Sequence, residues 1–187
     1  MRRALITTAV LILLAGCSSK SKPTVADDKP TIEGVQTFSG LSQTHLAQGK
    51  TYDYPQSPPV GGPHAQVWLK CAVYTTELPK VNAVHSLEHG GVWITYTPGT
   101  KADVVSTLDQ YQGLNSEYVM VSPYSGQDSP IVITAWGAQL KLTDPKDPRI
   151  VTFIRAYAAN GPEKPITCAS SGATLEQALQ YDAGQSS

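Results

Sequence analysis

The chain has 187 residues, 14 basic against 15 acidic, and 41% hydrophobic residues, enough to bury a real core. No basic patch interrupts this near-neutral balance, which excludes nucleic acid as a partner. Four histidines and three cysteines stand out, all the histidines falling between His45 and His89.

In chain order, Met1-Arg2-Arg3 is a basic leader, and Ala4 to Leu14 is an apolar run short for a membrane span. Leu14-Ala15-Gly16-Cys17 then has the order of a bacterial lipobox, so residues 1–16 read as a signal peptide and Cys17 as a lipidated mature N-terminus. The alternative is an ordinary signal peptide with Cys17 incidental. Cleavage before Cys17 leaves 12 basic against 15 acidic residues, a net charge of about −3. Two or more acyl chains hold a protein stably on a membrane. The expected location is therefore the extracytoplasmic face of a bacterial membrane, with an envelope protein as a candidate partner. Residues 17–37 read as a flexible tether, being rich in Ser, Lys, Asp and Pro without apolar periodicity.

Residues 38–170 read as a single α+β domain with an antiparallel or mixed sheet and two main helices, loosely ferredoxin-like. Pro55, Pro58, Pro59, Gly61, Gly62 and Pro63 stiffen a loop that presents His64. Strands are expected at Gln66–Tyr74, Gly91–Tyr96, Tyr118–Ser122 and Ile131–Trp136, the last continuing past Gly137 to Leu142. Helices are expected after Thr100, as a cap, and after Asp147-Pro148, where Ile150, Val151, Ile154 and Tyr157 keep helical spacing. Residues 171–187 carry a short helix and a tail. With Cys17 lipidated, Cys71 and Cys168 form an even pair in an oxidising compartment and are expected to be disulfide-bonded. Cys71 as a thiolate ligand is the alternative.

His85 and His89, four residues apart in His85-Ser86-Leu87-Glu88-His89, share one face of a helix with Cβ atoms roughly 5–6 Å apart. On a strand they would lie roughly 13 Å apart, too far for one metal ion. A metal site therefore requires a helical turn or a tight loop at 84–89. Its expected ligands are His64, His85 and His89, with His45 a weaker fourth and Glu88 orienting an imidazole from behind. Neutral imidazoles bind copper or zinc, so affinity should fall below pH about 6.5. Met120 is a candidate soft ligand, with a packed core methionine the stronger reading.

The runs Gly62-Pro63-His64, Val84-His85-Ser86-Leu87-Glu88-His89-Gly90, Ala135-Trp136-Gly137 and Gly161-Pro162-Glu163 resemble the bacterial family catalogued as domain of unknown function 3105. The resemblance spans about residues 40–165 and implies an exported or membrane-anchored protein. It adds weight to His64, His85, Glu88 and His89 as one site but implies no reaction. Three functions follow in order: a metal-binding lipoprotein, a cell-envelope interaction module whose histidines only hydrogen-bond, and a zinc hydrolase using H-x-x-E-H. No catalytic residue is assigned. No phosphate-cradling loop, Gly-x-Ser-x-Gly elbow or heme-attachment motif points to a small organic substrate.

Overall fold

In the computed structural model, which describes residues 29–185, five strands form one sheet in the order β1-β5-β4-β2-β3. In sequence the elements are β1 (Gln36–Thr37), α1 (Lys80–Glu88), β2 (Val92–Tyr96), α2 (Ala102–Leu114), β3 (Val119–Pro123), β4 (Ile131–Ala135), β5 (Ala138–Leu142), α3 (Arg149–Tyr157), α4 (Cys168–Ser171) and α5 (Leu175–Asp182). β2 and β3 pair in parallel through the α2 crossover, and every other pairing is antiparallel, which makes the sheet mixed and the domain α+β. Because β2 and β3 are direct neighbours, the unit is not the split β–α–β of a ferredoxin-like sheet. The signal segment, Cys17 and the tether up to residue 28 lie outside the described residues. Among the described residues no helix is long and apolar enough to cross a membrane.

Strand alternation divides the core in two. Val92, Ile94, Val119, Val121, Ile131, Ile133 and Leu140 face α2 and α3, where Leu108, Ile150, Phe153 and Ile154 complete an apolar layer. Trp93 and Met120 face the other way, against Leu87 of α1, Ala178 of α5 and the irregular stretch around Leu69 and Cys71. The indole N–H of Trp93 donates to Ser122 Oγ at 2.9 Å, so even this large ring leaves no unpaired donor.

Four expectations are corrected. Residues 66–74 are not a strand: Trp68 and Lys70 bond to Ala173, Ala72 and Tyr74 bond to Val121, and the Leu69 N–H and C=O both go to Ser86 Oγ. The backbone groups of this stretch are satisfied by three separate partners, so no ladder forms. The strand expected to run through Gly137 is a hairpin, because Gly137 at φ +69° reverses the chain between β4 and β5. Thr100 does not cap α2; Lys101 occupies that position without a side-chain bond, and the Thr100 hydroxyl donates to the Thr97 carbonyl instead. The tether ends earlier than residue 37, since Ile32 joins the apolar layer and Gln36–Thr37 pairs with β5.

The C-terminal helix starts on a capping box formed by Thr174 and Gln177. Cys71 and Cys168 form a disulfide with Cα atoms 5.1 Å apart, tying the irregular stretch to α4 across 97 positions of sequence.

Candidate metal centre

Helix α1 sets the geometry of the site. It begins already at Lys80, and every residue from Val81 to Glu88 is buried. Its end follows from Gly90 and Gly91: Gly91 N–H bonds to Ser86 O at 2.8 Å and Gly90 N–H to Leu87 O at 3.0 Å, with Gly90 at φ +92°. This is the Schellman arrangement, which an L-residue at position 90 would strain. His89 therefore sits at the C-cap, and His85 and His89 stack with ring centroids 5.0 Å apart and planes at 29°.

The stretch carrying His64 is fastened to this helix by one backbone hydrogen bond and by polar side chains. Ala65 N–H bonds to Val81 O, Asn82 Nδ2 donates to Val67 O, and Ser86 Oγ holds Leu69. His45 and His64 lie side by side through a short parallel bridge, with Leu46 N–H on His64 O and His64 N–H on Thr44 O. A further chain segment arrives where Gly161 meets α1, since a Cβ there would fall 1.9 Å from Glu88 O. That close approach brings Glu163 to the site, with its N–H on the Glu88 carbonyl.

The hydrogen bonds define which ring nitrogens are free. His64 Nδ1 lies 2.8 Å from Gly62 O, His85 Nδ1 2.7 Å from Ala65 O and His89 Nδ1 3.2 Å from Lys164 O. A carbonyl only accepts, so each Nδ1 carries the proton and each neutral ring turns a bare Nε2 inward. His64 Nε2 lies 2.9 Å from Glu88 Oε2 without hydrogen-bond geometry, and neither that nitrogen nor either Glu88 oxygen has a hydrogen-bond partner. His85 Nε2 and His89 Nε2 face each other at 3.1 Å. Two atoms each about 2.0–2.1 Å from one metal ion sit roughly 3 Å apart, so the His64 Nε2–Glu88 Oε2 spacing fits two ligands of one ion.

One ligand atom from each of His45, His64, His85 and Glu88 falls within 4.8 Å of all the others, and the same holds for Glu88, His89 and Glu163. Either group could hold a metal ion. His64 and Glu88 are fully buried, His85 and His89 nearly so, and His45 is exposed at the rim. Trp68 covers the stack, its ring 5.1 Å from both His85 and His89, and Trp136 meets His64 edge-on at 5.9 Å.

Burial governs the protonation states. Desolvation lowers His85 to about 3, and the neighbouring His64 and His89 add to the effect. Desolvation also lowers His64. The Glu88 carboxyl is pushed up to about 7, first by desolvation and then by the nearby Glu163 charge. Proton competition expected at the imidazoles near pH 6.5 thus moves to the carboxyl.

The sequence-expected residues meet here, with differences. Glu88 was expected behind an imidazole but points its carboxylate among the nitrogens. His89 contacts His85, yet its group is the one containing Glu163, a residue not assigned to the site although it lies in the Gly161-Pro162-Glu163 run. His45, expected to be the weakest, belongs to the four-residue group. Met120 is fully buried in the apolar cluster with Leu69, Leu87 and Trp93, which agrees with the packed-core reading.

A family model described as "Protein of unknown function (DUF3105)" matches residues 45–170. No curated protein and no solved structure matches the chain.

Proposed function

We propose that this chain, which belongs to the family described as Protein of unknown function (DUF3105), binds a divalent copper or zinc ion through His45, His64, His85 and Glu88. The observation that carries this reading is the fixed tautomer set. His64 and His85, like their neighbour His89, give Nδ1–H to a backbone carbonyl, and His64 Nε2 and both Glu88 oxygens are buried without a hydrogen bond, His64 Nε2 lying 2.9 Å from Glu88 Oε2. Ligating histidines are normally oriented in this way, whereas a cluster built only for packing pairs its buried polar atoms. Sulfur is missing from the donor set, since Cys71 and Cys168 are joined and Met120 is in the core. Imidazole with carboxylate suits Cu(II) or Zn(II) better than Cu(I). The residues need little rearrangement to bind, because the carbonyls of Gly62 and Ala65 already orient the two buried rings.

The same protein is read as a lipoprotein on the extracytoplasmic face of a bacterial membrane, anchored at Cys17. The Leu14-Ala15-Gly16-Cys17 order and the disulfide, which belongs to oxidising compartments, support this. Replacing Cys17 by Ala should release the protein from the membrane fraction, and continued membrane retention would overturn the anchor.

Calorimetric titration of the metal-stripped protein with Cu(II) and with Zn(II) tests the site. The His64→Ala, His85→Ala double variant should lose at least a hundredfold in affinity. Equal affinity of variant and wild type for both ions would overturn the reading.

A further inference from the structure

We infer that the site is built for two metal ions bridged by the Glu88 carboxylate, the second ion held by Glu88, His89 and Glu163. The inference rests on the metal reading above and extends it. The two ligand groups share one residue, Glu88. A carboxylate has two oxygens able to serve two ions, and both Glu88 oxygens are buried without a hydrogen bond.

The first group already offers the four ligands of a tetrahedral ion. His89 is left over, and it is not an idle surface ring: it is 5% exposed and its Nδ1–H is committed to Lys164 O. Its bare Nε2 faces the equally bare Nε2 of His85 at 3.1 Å. His85 belongs to the first group of ligands and His89 to the second, so the two rings would serve adjacent ions. Paired metal sites place their ions about 3.5–4 Å apart, the span of a bridging carboxylate.

Glu163 completes the second group from the other side, with Oε2 3.9 Å from His89 Nε2. Its side chain is 44% exposed, so the second ion faces solvent and retains room for water ligands. With one imidazole and two carboxylates it is a harder, more exchangeable site than the first.

The test is titration of the full metal-stripped chain with Zn(II), with bound metal counted by elemental analysis. Wild type should bind two equivalents, the second more weakly. Glu163→Gln, at an exposed position that leaves the fold intact, should bind one equivalent with the tighter affinity changed by less than about threefold. One equivalent in wild type overturns the two-ion inference and leaves the single-site reading standing, whereas none overturns both. Two equivalents with unchanged affinities in Glu163→Gln would place the second ion elsewhere and also overturn it. Loading with two equivalents of Cu(II) gives an independent readout, since ions bridged at this distance are magnetically coupled. Two uncoupled paramagnetic signals would refute the bridge.

Discussion

On one face of the sheet, Ile94, Val121 and Ile133 meet Leu108, Ile150 and Phe153 in a layer made almost wholly of aliphatic and aromatic carbon. On the other, Trp93 and Met120 meet a helix that buries His85, Ser86, Glu88 and Asn82 along with Leu87 and Ala83. The first face is held by area and shape, so many apolar residues of similar volume would serve. The second is held by named partners, and each buried polar atom needs its own. Stability and chemistry are thus divided between the two sides of one sheet, which substitutions can separate.

The largest effect is expected on the apolar face. Phe153 is fully buried and stacked on Tyr157 with centroids 4.3 Å apart. Phe153→Ala should cost about 3–5 kcal/mol by urea unfolding, while metal stoichiometry in the folded protein stays that of wild type. A change in stoichiometry would show that the faces are not independent.

On the polar face the main effect should depend on pH. In the metal-free protein the Glu88 carboxyl sits at about 7 against an ordinary 4.5, so the folded state prefers the protonated form. Its raised value makes the folded protein most stable below about 4.5 and progressively less so as pH rises to about 7. Over that window wild type should lose on the order of 3 kcal/mol relative to Glu88→Gln, measured as the gap between their urea midpoints. A gap independent of pH would contradict the buried carboxyl. Added Zn(II) should reverse the trend, because the ion binds the deprotonated carboxylate and its affinity falls below about pH 7.

Ser86→Ala sharpens the contrast by one hydroxyl. Removing Oγ leaves the buried Leu69 N–H without its partner and should cost about 1–3 kcal/mol. It should also weaken metal affinity, since the stretch from His64 to Leu69 is fastened to α1 through this atom. Unchanged affinity with lowered stability would show that Asn82 and Ala65 suffice to hold His64. The smallest effect is at the far end. Thr174→Ala removes the α5 cap and should cost about 1 kcal/mol in thermal or urea unfolding, with metal titration unaffected.

How much was legible in the sequence follows the same division. Ile150, Ile154 and Tyr157 announce α3 because that helix has one wet face and one dry one, and α1 gives no such signal. Buried on nearly every side, α1 has no polar stripe to set a period, so only the four-residue spacing of His85 and His89 hinted at it. The stretch at 66–74 resembled a strand because Val67, Trp68, Leu69 and Val73 are strand-forming residues. Their backbone partners, however, come from Ser86, Ala173 and Val121, far away in sequence.

By itself the sequence determined the α+β class, most strands, the amphipathic helices, the cysteine pair and the gathering of histidines around α1. These depend on local periodicity, on turn chemistry and on counting, all of which are properties of neighbouring residues. Only the tertiary structure decided that Glu88 points among the imidazoles, that Glu163 arrives beside His89, and that Met120 is packing. Those outcomes depend on how closely Gly161 lets a distant loop approach α1, and on which face of β3 meets that helix. Directions and approaches of this kind arise from packing between segments far apart in the chain, Gly161 meeting Glu88 from 73 positions away and Met120 packing with Leu87 from 33.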